Sequence, residues 1–130
     1  MRFKEPTSFS SDRHKACLTF DDHKICCKVV TKDHEPHIGT WNKDTPTVYV
    51  DDDMGKLGTD LDVQAIILHE MIERYLSTVY KMPENGEAHR IAEKFEKQYI
   101  KKNGGNWEKH EWLVSKVFDK ENPSIFSGVL

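Results

Sequence analysis

Residues 59–80 constrain the fold more than any other stretch of this chain. Apolar side chains fall at Leu61, Ile66, Ile67, Leu68, Met71, Ile72, Tyr75, Leu76 and Val79. Steps of three and four lay them on one wide stripe, which predicts a helix with a buried side. Thr59 or Asp60 can accept from the orphan amides of its first turn, and Asp62 suits the positive end of the dipole there. "KMPENGE" (81–87) breaks the pattern, and Pro83 fits the first turn of a second helix. A stripe of Ala88, Ile91, Ala92, Phe95, Tyr99 and Ile100 predicts the body of that helix, which "NGG" (103–105) ends. The connection is short, so the two helices should be antiparallel neighbours. "WEKHEWLVSKVFDK" (107–120) predicts a third helix.

The first half of the chain reads differently. "ACLTF" (16–20) and "ICCKVV" (25–30) have the character of short strands, with "DDHK" turning between them. Residues 31–46 carry Pro36, Gly39 and Pro46 and read as a loop. "TVYVD" (47–51) reads as a strand, ended by the polar "DDMGKLGTD". Strands before helices point to an α+β fold, with short N-terminal antiparallel strands packed on a C-terminal antiparallel helix pair plus a third helix. A length of 130 residues fits one domain, 1–130. Within it, residues 1–14 are expected to be a loose N-terminal segment. Residues 15–51 hold the strands and loop, and 59–120 the helical part with the candidate metal site. "ENPSIFSGVL" (121–130) is expected to close the chain irregularly.

Composition narrows the function classes. The net charge is −3 and no long basic tract occurs, which argues against nucleic acid as a partner. No apolar run approaches the roughly 18 residues of a membrane span, and none at the N-terminus resembles a signal peptide. Cys17, Cys26 and Cys27 are an odd set with two members adjacent, so buried reduced thiols in a cytoplasmic protein are expected.

The chemistry sits in "AIILHEMIERYL" (65–76). Four residues advance a helix by about 400°, so His69 and Glu73 stand roughly 40° apart and one turn up, both able to reach one metal ion. Imidazole and carboxylate are both zinc ligands. Glu70 lies about 100° round from His69, the offset that in His-Glu-x-x-His proteases lets the glutamate approach a metal-bound water without ligating the metal. The next helix offers His89 and, one turn later, Glu93. His89 is the preferred third ligand, because neutral imidazole binds zinc well and Ala88 permits close helix approach. Glu93 is the alternative. Zn2+ is the expected ion, and the carboxylate keeps Mn2+ or Fe2+ open.

"VYVDDDM…LDVQAIILHEMIERYL…EAHRIAEKFE", roughly residues 47–96, resembles the zincin-like metallopeptidase superfamily in a minimal form. It is also similar to small phage and prophage proteins carrying "HExxE…AH". The resemblance implies ligands at His69 and His89 and a general base at Glu70. Glu73 stands where the family's second histidine belongs. A His, Glu, His set carries the same charge as the family's common His, His, Glu set. The implied activity is metal-assisted hydrolysis of a peptide: the metal acidifies its water, and Glu70 passes the proton to the leaving amine. Tyr75, Tyr80, Tyr99 and His110 are candidates for steadying the oxyanion. The edge of "TVYVD" is expected to hold an extended peptide. A phage-encoded protein would work in the host cytoplasm.

Two rival readings belong beside this one. A zincin-derived metal-binding module without catalysis would act on a protein partner. A helix bundle would use Glu70, Glu73, His89 and Glu93 for two metals, though the Glu-x-x-His pairing of such bundles is absent. The bland reading gives His69 a carboxylate partner that only locks the helix pair. His34 and His37 in "DHEPHIG" read as solvated loop histidines, and Asp51, Asp52 and Asp53 as an acidic turn keeping the strand end in water.

Overall fold

A computed structural model describes residues 3–33 and 37–122. The expectations for His34 and for residues 123–130 lie outside the described residues. Among the described residues five strands come first: β1 (Thr7–Ser11), β2 (Lys15–Phe20), β3 (His23–Lys32), β4 (Gly39–Asn42) and β5 (Thr47–Asp51). They form one sheet in the order β1-β2-β3-β5-β4. All neighbours are antiparallel except β3 and β5, which run parallel. Helices α1 (Asp53–Leu57), α2 (Asp60–Val79), α3 (His89–Lys102) and α4 (Trp107–Glu121) follow. This is the expected α+β layout.

Alternation along the strands decides which face is covered. Ala16, Leu18, Phe20, Cys27, Val29, Val48 and Val50 are buried, and they meet Ile67, Leu68, Met71, Ile72 and Leu76 of α2. Burying side chains of this size contributes roughly 1.5–3 kcal/mol each, which holds α2 across the sheet. Thr59 and Asp62 form a reciprocal cap at the start of α2: the Thr59 hydroxyl accepts from Asp62 N, and the Asp62 carboxylate accepts from Thr59 N. The chain then passes Lys81, at φ 58, and a wide turn over Glu84–Ala88 that is non-helical at Gly86. It enters α3 at His89.

Four expectations need correction. Residues 7–11, expected to be loose, pair with β2 as an edge strand. The loop at 31–46 contains β4, which pairs with β5 through Trp41↔Val48 and Thr40↔Tyr49. "TVYVD" is therefore not an edge: β5 is enclosed by β3 and β4, and β4 is the free edge beside α2. The acidic turn is not solvated. Asp51 and Asp53 are buried, Asp53 N donates to Asp51 Oδ1, and Lys120 Nζ of α4 lies 2.7 Å from Asp53 Oδ2.

The cysteines also differ from expectation. Cys17 and Cys26 face each other across β2 and β3, with Cα atoms 4.1 Å apart, and form a disulfide; Cys27 alone is a buried free thiol. The antiparallel register puts positions 17 and 26 directly opposite, which adjacency in sequence does not reveal. A closed loop of this length restricts the unfolded chain by about 2–3 kcal/mol. The Cys17→Ser/Cys26→Ser double variant is expected to lose that much stability in urea unfolding. An unchanged midpoint would show the two sulfurs to be unpaired.

Candidate metal centre

The centre lies where α2 and α3 face each other. His69 and Glu73 come from the middle of α2, one turn apart, and His89 from the first turn of α3. His69 Nε2 is 3.2 Å from Glu73 Oε2, and His89 Nδ1 is 3.1 Å from the same oxygen. One donor atom from each residue lies within 4.8 Å of the others. An ion held tetrahedrally at bond lengths of roughly 2.0–2.1 Å keeps its donors about 3.4 Å apart, so the His, Glu, His donor set fits a zinc-sized ion.

Two of the donors are held by a second hydrogen bond, and the third has a carboxylate nearby. Trp41 Nε1 of β4 donates to Glu73 Oε1 at 3.1 Å, leaving Oε2 to face both histidines. His69 Nδ1 lies 2.7 Å from Glu96 Oε1 on α3. His89 Nε2 lies 3.4 Å from Glu93 Oε2. Glu93 thus backs His89 and stands outside the close trio. The Glu96 carboxylate, hydrogen-bonded and buried, fixes the His69 ring and raises its basicity as a ligand, whereas Glu93 only lies near the exposed face of His89.

Glu70 is buried at the same level, with Oε2 4.0 Å from His69 Nε2. It borders a cavity of about 360 Å³ whose walls include His69, His89, His110, Gly39 and Phe118. Gly39 matters here. A Cβ on it would come within 2.8 Å of Ile66 Cγ2 and 3.0 Å of Glu70 Cγ, so only glycine lets the edge strand lie this close to α2. His37 lines the cavity too. The tyrosines are elsewhere: Tyr75 and Tyr80 donate to Asp21, and Tyr99 to Gln64.

Sequence reasoning missed Glu96 and the fixed position of His110. Glu96 Oε2 is 2.6 Å from His110 Nε2, and His110 Nδ1 is 2.8 Å from Asp62 Oδ1. Glu96 is 5% exposed and His110 is 2% exposed. The signal was present. Glu96 follows Ala92 by four residues on the buried line of α3, and His110 follows Trp107 by three on that of α4. Charged residues at core positions are seldom there without partners.

The electrostatics follow from this packing. Burial opposes protonation of His69, but hydrogen bonds to Glu73 and Glu96 outweigh it, and its pKa lies well above the ordinary 6.5. Burial likewise opposes charge on His110, and its bonds to Glu96 and Asp62 raise its pKa all the same. Burial works against the carboxylates of Glu73 and Glu96, yet their histidine partners hold both below the ordinary 4.5. The signs fix a pH profile for the metal-free protein. The histidines contribute stability that is full below about pH 6.5 and is lost as pH rises through their raised values. The glutamates contribute stability present above about pH 4.5 and lost as pH falls through their lowered values. Urea midpoints measured with chelator present are expected to be highest between those limits. A midpoint that climbs from pH 7 to 9 would contradict this.

A second acidic group, Asp51, Asp53 and Glu121, also brings oxygens within 4.8 Å, but the Lys120 ammonium already sits on Asp53. Comparison of the chain with protein-family models, with curated proteins and with solved structures finds no match. Fold and site together define an α+β protein whose central helix carries the buried His69, Glu70 and Glu73, with the exposed His89 of α3 completing a donor set close enough together to hold a metal ion. None of the described helices is long and apolar enough to cross a membrane.

Proposed function

We propose that the protein is a zinc-dependent hydrolase acting on peptides, with ligands His69, Glu73 and His89. The observation that supports it most is the convergence of these three donors, two of which, His69 and His89, border one cavity together with Glu70. A zinc ion there would bring the pKa of a water near 7 and polarise a carbonyl. Glu70 accepts the proton of the attacking water and returns it to the departing amine nitrogen. Trp41 keeps Glu73 Oε1 occupied, so Oε2 is the oxygen offered to the ion. The free edge of β4 replaces β5 as the strand against which an extended peptide would lie. The Cys17–Cys26 disulfide favours an oxidising compartment over the cytoplasm.

Metal analysis of protein purified without chelator, joined to a screen of a broad peptide library, tests the reading. One zinc per chain with cleavage lost on chelation is expected. Zinc without cleavage would leave the non-catalytic binding module. Two metals per chain would favour the bundle-type site, and absence of metal would end the proposal.

A further inference from the structure

A chain of hydrogen bonds, buried at its start and exposed at its end, leaves α2 and comes back to it. It starts at His69 Nδ1, 2.7 Å from Glu96 Oε1 on α3. The other Glu96 oxygen is 2.6 Å from His110 Nε2 on α4. His110 Nδ1 is 2.8 Å from Asp62 Oδ1 in the first turn of α2. The remaining Asp62 oxygen accepts from Thr59 N at 2.8 Å, in the cap of that helix. Three helices are thereby tied to the orientation of one imidazole.

We propose that His110 and Asp62 are positioning residues for His69, acting through Glu96, and that they set how tightly the centre holds its ion. This rests on the metal-binding reading of His69, Glu73 and His89. Glu96 has one oxygen on each histidine, so its carboxylate plane is fixed only while His110 is in place. The His110 ring is held in turn by Asp62 and by Trp107, whose ring centroid is 5.4 Å away. A ring present for packing alone does not need both nitrogens facing carboxylates in a buried position, because a polar group placed there costs stability unless it is fully partnered. The chain also gives α4 a role, since α4 supplies none of the three donors.

The test is zinc affinity, measured by chelator competition in wild type, His110→Gln, Asp62→Asn and Lys116→Gln. Lys116 is exposed on α4 and serves as the control. His110→Gln is expected to raise the zinc Kd by about ten- to a hundred-fold, and Asp62→Asn by roughly three- to ten-fold. Lys116→Gln is expected to leave it unchanged. The visible spectrum of the cobalt(II)-loaded Asp62→Asn protein is expected to differ from that of wild type, a signature that lost packing alone would not produce. If His110→Gln does not fold, Asp62→Asn decides, since the asparagine amide oxygen can still accept from Thr59 N in the capping turn. Wild-type affinity and spectrum in the folded variants would overturn the inference alone. A wild type that binds no zinc would overturn it together with the reading beneath it.

Discussion

Glu70→Gln is expected to leave zinc affinity close to that of wild type and to lower peptide turnover by about 10²- to 10⁴-fold. Glutamine keeps the size of the side chain and its place among the buried residues of α2, but its amide cannot take a proton from water. Glu70 is not among the three converging donors, so the ion should stay. The measurement pairs zinc content with kcat on whichever peptide the library yields. Loss of metal in this variant would make Glu70 a ligand. Unchanged turnover would remove it from the chemistry.

His69→Ala and His89→Ala are each expected to weaken zinc binding by roughly 10²- to 10³-fold. Structural zinc sites with four ligands hold about 10–16 kcal/mol in total, so one ligand accounts for about 2.5–4 kcal/mol. The two variants should differ in stability. His69 is buried, whereas the His89 side chain is 50% exposed. His89→Ala therefore loses the ion without opening a cavity, which separates the ligand role from packing. Glu93→Gln is the companion measurement. As the group behind His89 it should weaken zinc by about ten-fold at most. A larger loss from Glu93→Gln than from His89→Ala would exchange their roles.

The helices were legible because each carries one continuous apolar stripe, and a stripe of that width has one stable way to be buried. The closeness of His69 and Glu73 was legible for the same reason, because helical spacing fixes direction as well as distance; His89 followed only from the expectation of an antiparallel neighbouring helix. Sheet order was not. "GTWN" is too short to alternate and lies between prolines, and "TSFSS" is polar, so β4 and β1 carried no strand signal. Both are specified by their neighbours. Insertion of β5 between β3 and β4 is a tertiary fact, and it moved the free edge from Val48 and Val50 to Trp41. The contact from Trp41 to Glu73 spans 32 positions and leaves no trace in local pattern. The disulfide was hidden likewise, because pairing depends on register.

The kinked connection between α2 and α3 has a thermodynamic consequence. Its residues 81–88 lack regular α-helical bonding and are held by scattered backbone bonds such as Met82 N to Leu76 O and Gly86 N to Pro83 O. An ion shared by His69 and Glu73 on one side and His89 on the other would act as a clasp across that joint. Bound only by the folded chain, it would add about 2.7 kcal/mol at a hundred times its Kd. The equilibrium stability of the protein would then follow the concentration of free metal around it.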